Sequence, residues 1–324
     1  MLQKISFIFS FLASLYLPTA FAAPLGTIPT IQEQNLQMLF NFRSDLWASP
    51  YTYKESPLRI IGGDIRVPLL KSESWSASAN VFLEGLNLGR TQFSLGGEDV
   101  FIANTLQDEG VGFGVRKDFE SGSTLSVFAA YATASDDPWA DLRNNYFNGT
   151  VSYRTAPGGD YYWIFAVNQS NNRGIYNGTP FPFIGVIRDV NPEFKASFGF
   201  PFVVLQWGTG ENWIKSFSMT PFGTQIGAAK DLAHGFAFDA RAALTVRSYM
   251  LDERTEDSSR LYYQEIFVEG AFKKFVTPET GVSFALGAAV DRRLYESERI
   301  YHPNSKVTTI DSDFYGRLGV EFRL

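Results

Sequence analysis

Apolar and polar residues alternate with a period of two along most of this 324-residue chain. Successive side chains of a strand point to opposite faces, so this period marks strands with one apolar and one polar face. The C-terminal third is clearest. Phe236, Phe238, Ala240, Ala242, Leu244 and Val246 alternate with Asp239, Arg241, Thr245 and Arg247. Ile266, Val268 and Phe272 oppose Glu265, Glu269 and Lys273, while Val282, Phe284, Leu286, Ala288 and Val290 oppose Ser283, Gly287, Asp291 and Arg293. The same alternation runs through 36–43, 75–84, 111–118, 124–131, 147–154, 161–168 and 194–204. With weaker stretches at 57–69, 181–188 and 213–228 it predicts about fourteen strands, and helical spacing fits none of them as well.

The connections alternate too. Short turns are predicted at 120–123, 156–160, 230–234 and 276–280, and longer polar loops at 134–145, 169–180, 251–259 and 297–312. Counting strands places the short turns at one end of the structure and the long loops at the other, the pattern of a barrel that crosses an outer membrane. The expected fold is all-β: a single antiparallel transmembrane β-barrel of about 12–14 strands with short periplasmic turns and longer extracellular loops. A soluble sandwich would have to bury all these Phe-rich faces in one core. Pro68 and Pro201 interrupt two of the stretches and are expected at bulges or strand ends, since proline cannot donate to a ladder.

The final segment, Asp313 to Leu324, reads D-F-Y-G-R-L-G-V-E-F-R-L. Phe314, Gly316, Leu318, Val320, Phe322 and Leu324 share one face; Tyr315, Arg317, Gly319, Glu321 and Arg323 share the other. This segment resembles the C-terminal strand of bacterial outer-membrane β-barrels of the porin-like kind. Phe322 fits that pattern, and Leu324 departs from the usual terminal aromatic. The resemblance covers the whole mature length as a pattern. It implies a location in the outer membrane among its lipids and lipopolysaccharide, and insertion by the barrel-assembly machinery.

Residues 1–23 have the features of a cleaved export signal: Lys4, an apolar run from Ile5 to Leu17, and Ala20-Phe21-Ala22 before the cleavage point. This leaves 24–324 as one barrel domain. No later stretch reaches the ~20 apolar residues of a spanning helix. The absence of cysteine excludes disulfides and thiolate metal sites. A net charge of −6 argues against a nucleic-acid partner.

Charges on the polar faces of the last strands are the informative chemistry. Asp239, Arg241, Arg247, Glu265, Glu269, Asp291, Arg293 and Arg317 are expected to line the lumen, where opposite charges on neighbouring strands can pair. The same residues suit a solute-selecting pore lining or a salt-bridge network that fills the barrel. The expected function is passive passage of small solutes or ions. The alternatives are a structural or surface-binding barrel without conductance and an outer-membrane lipid hydrolase using His302. Only His234 and His302 are present, in a turn and a loop, and the surroundings of His302 match no hydrolase motif. No metal or cofactor is expected: the acidic runs 136–141 and 252–257 have no calcium-loop spacing. Trp47, Tyr51, Tyr161, Trp163, Tyr249, Tyr262 and Tyr263 are candidates for an interfacial aromatic girdle.

Overall fold

The protein is described from a computed structural model, which covers residues 36–323 apart from 47–56, 90–91, 96–97, 103, 192, 209–211, 253, 255 and 304–306. The signal reading of 1–23, together with Trp47, Tyr51 and Leu324, lies outside the described residues.

Nineteen strands follow one another in chain order among the described residues. The first half holds β1(Gln37–Asp45), β2(Arg59–Lys71), β3(Trp75–Asn87), β4(Gln92–Leu95), β5(Glu98–Phe101), β6(Thr105–Asp118), β7(Thr124–Ser135), β8(Asn145–Arg154) and β9(Tyr161–Ser170). The second half holds β10(Phe181–Asn191), β11(Phe194–Phe200), β12(Phe202–Trp207), β13(Ile214–Thr220), β14(Gly223–Asp231), β15(Phe236–Tyr249), β16(Arg260–Phe275), β17(Thr280–Ser297), β18(Val307–Ile310) and β19(Asp313–Arg323). Every wall strand pairs antiparallel with its neighbours, and β1 pairs with β19, so the sheet closes on itself. β4 and β5 form a separate hairpin, and β18 and β19 both pair with β17 as two pieces of one wall strand. The result is a closed sixteen-strand barrel.

The fold class is the expected one, with sixteen wall strands in place of twelve to fourteen. Two expected single stretches are hairpins. Residues 194–204 turn at Pro201, where β11 gives way to β12 and Gly199 pairs with Phe202. Residues 213–228 turn at Pro221-Phe222, between β13 and β14. Phe200 and Phe202 flank the first turn, and Met219 and Phe222 lie at the second, which hides both from a pattern of period two. Proline supplies the break, having a fixed φ and no N–H for the ladder. Pro68 sits at a register shift between β2 and β3. Each added strand reverses direction and there are two, so the rest of the chain keeps its expected orientation. The turns at 119–123, 155–160, 232–235 and 276–279 share one end.

The outward faces are apolar and exposed: Phe272, Phe284, Leu286, Phe314 and Leu318 are all about half accessible or more. In water this would be a large unfavourable area; in a bilayer it is the contact surface. Tyr161 and Trp163 belong to this outer surface, whereas Tyr249 and Tyr263 are wholly buried in a cluster inside the barrel and Tyr262 is wholly buried under other side chains.

Candidate functional site

Inward-facing charges pair along one side of the barrel. On β16, Glu265, Glu269 and Lys273 recur every fourth residue, so all three face inward. Arg43 of β1 grips Glu265 with both Nη atoms, at 2.7 and 2.9 Å. Tyr263 donates to the same carboxylate at 2.9 Å. The Arg43 guanidinium lies 3.6 Å from the Tyr315 ring centroid. One level further from the loops, Glu269 accepts from Arg241 at 2.8 Å, Arg317 at 2.6 Å and Tyr315 at 3.0 Å. Below that, Glu321 is held between Lys273 and Arg323. Two-pronged arginine–carboxylate contacts fix geometry as well as charge.

Of the eight residues expected inside, Asp239, Arg241, Arg247, Glu265, Glu269 and Arg317 turn inward. Asp239 has no ion pair of its own among the described residues, although Arg241 and Arg317 lie in its field. Asp291 and Arg293 do not turn inward, which corrects the expectation. The register between β16 and β17 shifts at this level, from Ile266↔Val290 to Gln264↔Arg293. Two residues of β17 therefore oppose one of β16, a bulge, and Asp291 takes the left-handed φ of 48° it requires. The alternation inverts beyond it. Arg293 is exposed and pairs with Asp291 at 2.8 Å, while Arg292 takes the interior position. Arg292 is fully buried, bound to Asp45 at 2.7 and 2.8 Å, with its Nε 3.9 Å from Glu265.

Arg43 and Glu84 were legible as polar-face positions. Their importance lies in pairing with residues more than 160 positions away, which alternation does not encode.

The loop-side end of the interior is closed by the wall itself. The last rung between β14 and β15 joins Gly223 to Thr245, so the segment from Val246 to Tyr249 pairs with β16 alone. This free end crosses the interior. Arg247 Nε reaches Glu84 of β3 at 2.6 Å, and the Met250 N–H donates to the Ala134 carbonyl of β7 at 2.7 Å. Tyr249, Met250, Leu261, Tyr263 and Leu294 pack there against Leu86, Leu106, Ala132 and Tyr146 from the far wall. Phe93 and Ile102, at the hairpin of β4 and β5, join the same cluster. The outward faces left behind, Val246, Tyr262 and Tyr295, pack against inward-facing Phe181 and Phe183 of β10. At this end β15 to β17 thus tuck inside β9 and β10.

Residues of the two acidic runs fasten this arrangement. Asp136 accepts from the Asp252 N–H at 2.9 Å, Asn144 donates to Asp252 at 2.7 Å, and Arg254 donates to Asn144 at 2.8 Å. Arg143 binds Asp257 at 2.7 Å and holds that carboxyl below the usual carboxylate range. No cluster of metal-ligating side chains occurs among the described residues. His302 is an exposed loop residue whose carbonyl accepts from Ser297.

A closed, even-stranded antiparallel wall with an apolar outside and a charged inside is a β-barrel of the outer-membrane type. Solved structures of similar shape include an outer membrane channel from Pseudomonas putida F1, 9% identical over 90% of this chain and 96% of that chain, with a TM-score of 0.37. The NanC porin is 11% identical over 89% of this chain and all of its own, with a TM-score of 0.31. LpxR from Salmonella typhimurium is 10% identical over 89% and 100%, with a TM-score of 0.34. Identities of this size transfer no residue role to this chain. No protein-family model and no curated protein matches the sequence.

Proposed function

We propose that the protein is an outer-membrane channel for small solutes or ions, seen here in a closed state, with the free end of β15 and β16 as its gate. The observation that carries this reading is the manner of closure. Sixteen strands enclose an interior of porin width, too wide for side chains of the wall alone to fill. One displaced hairpin end blocks it, held to the far wall by the Arg247–Glu84 pair and the Met250–Ala134 hydrogen bond. Asp239, Arg241, Glu269 and Arg317 would line the path on the side away from the loops, giving it mixed charge. Export through the 1–23 signal, insertion by the assembly machinery and contact with lipopolysaccharide complete the reading.

A second reading is a barrel with a purely structural or binding role, favoured by the full burial of Arg292 and Glu265. Planar-bilayer recording separates the two. A channel should show rare or small openings in the wild type and frequent, larger ones when Glu84→Gln loosens the gate. Silence from both proteins, with each shown to be folded by heat-modifiable mobility, would leave the structural barrel.

A further inference from the structure

Infolding of β15 to β17 leaves a break in the wall. On one side the ladder between β10 and β11 ends at Ile184↔Phe200, below the end of β10 at Phe181. On the other side the ladder between β14 and β15 ends at Gly223↔Thr245. Between these limits no ladder joins the strands, and side chains fill the gap: Phe181, Phe183, Phe222, Val246, Tyr262 and Tyr295, with Phe202 beside them. The lining is mostly apolar and aromatic. It is continuous with the lipid-facing surface, because Phe200 (59% exposed) and Tyr176 (66% exposed) pack on Phe181 with ring centroids 5.8 and 5.5 Å away.

Two polar groups beside this seam are unusual. Tyr262 Oη is buried, under Gly174, without a hydrogen-bond partner. Arg173, in the loop after β9, is 2% exposed and lies over the Phe181 ring at 5.2 Å. Its guanidinium donates to the carbonyls of Asn168, Ile175, Tyr176 and Thr179 and to Asn168 Oδ1, all neutral acceptors, at 2.6–2.9 Å. No carboxylate pairs with it among the described residues, although a buried cation is ordinarily matched by an opposite charge.

We infer that the seam is a binding site for one anionic membrane lipid, an acyl chain parting the aromatic side chains between β10 and β15 and the negative headgroup drawn towards the charge of Arg173, whose own N–H groups stay on the loop acceptors. The wall supplies the reason for choosing a lipid: Ile184, Phe198, Met219 and Ile226 face the bilayer directly beneath the break, so acyl chains already cover its mouth. The uncompensated charge selects an anionic head over a zwitterionic one. The site is independent of conductance, and a barrel that never opens would still hold the lipid.

The test uses the full chain in micelles containing equimolar phosphatidylglycerol and phosphatidylcholine, read by native mass spectrometry. One retained lipid is expected, phosphatidylglycerol at least about tenfold over phosphatidylcholine. Arg173→Gln should bring that preference close to unity, and Arg173→Lys should keep most of it, each checked for heat-modifiable mobility. A phosphatidylglycerol carrying a photoreactive group on its acyl chain should label peptides containing Phe181 or Phe222. No retained lipid, equal retention of the two lipids by the wild type, or labelling confined to the exposed wall faces would overturn the assignment. An unchanged preference in folded Arg173→Gln would do the same.

Discussion

Arg247 and Glu84 belong to strands six places apart around the barrel, yet their side chains meet at 2.6 Å. Neither carboxylate nor guanidinium has much water around it, with side-chain exposures of 4% and 11%. Removing one partner of such a pair strands the other, at a cost of roughly 3–5 kcal/mol. Glu84→Gln and Arg247→Gln should each lower stability by an amount in that range. Replacing both together with Gln and Met should cost less than the sum of the single changes. Urea unfolding from lipid vesicles measures this as a double-mutant cycle, and additive costs would mean that the two residues do not interact.

The bulge at Asp291 gives a second comparison. Arg292 is fully buried between Asp45 and Glu265, whereas neighbouring Arg293 is exposed on the outer surface beside Asp291. Arg292→Gln should destabilise by roughly 3–5 kcal/mol, and Arg293→Gln by about 1 kcal/mol or less. Equal effects in the same unfolding assay would restore the uninterrupted alternation that puts Arg293 inside.

These two arginines show where the sequence stops being informative. The period of two assigns faces correctly along β15, β16 and β19, because burying one face and wetting or oiling the other is a local constraint. A single inserted residue inverts that assignment, and Asp291 carries no composition signal beyond its tolerance of a left-handed φ. The turn at Pro201 was hidden in the same way, with phenylalanine on both sides of it. The gate was beyond reach for a different reason. Whether Arg247 faces open water or Glu84 depends on the tilt of a hairpin end relative to a strand far away in sequence, and no residue near either one encodes it.

On the outside, Leu286 is 53% exposed in the middle of the apolar face of β17. Leu286→Arg should cost roughly 2–4 kcal/mol if this level lies near the bilayer centre. The same change at exposed Leu142, in the loop after β7, should cost little. Refolding yields into vesicles would reverse that order if the apolar face were not the lipid contact.

The loops should respond to acid. Arg143 holds the Asp257 carboxyl below its ordinary range, so this tie contributes while pH stays above the ordinary carboxylate value. It is lost as pH falls through the lowered value. The segment 251–259 should therefore resist pepsin at pH 4 better than at pH 2. Asp257→Asn should be cut at similar rates at both, after correction for the enzyme's own pH profile. A wild-type loop cut equally at both values would show that the tie does not order it.

The gate can be tested most directly because the chain contains no cysteine. Met250 and Ala134 are joined by a backbone hydrogen bond, and both side chains are buried in the same interior cluster. A backbone hydrogen bond between facing antiparallel residues places their Cα atoms about 5.5 Å apart, within the span a disulfide tolerates. A Met250→Cys/Ala134→Cys protein should form that bond under oxidation with little change in fold. If opening requires the end of β15 to leave the far wall, oxidised protein should stay closed even when Glu84→Gln is added. Reduction should then restore the openings of the Glu84→Gln parent within the same recording. Conductance that persists unchanged in the oxidised form would place the solute path somewhere other than past this hairpin, and the Arg247–Glu84 contact would then be a fixed part of the barrel wall.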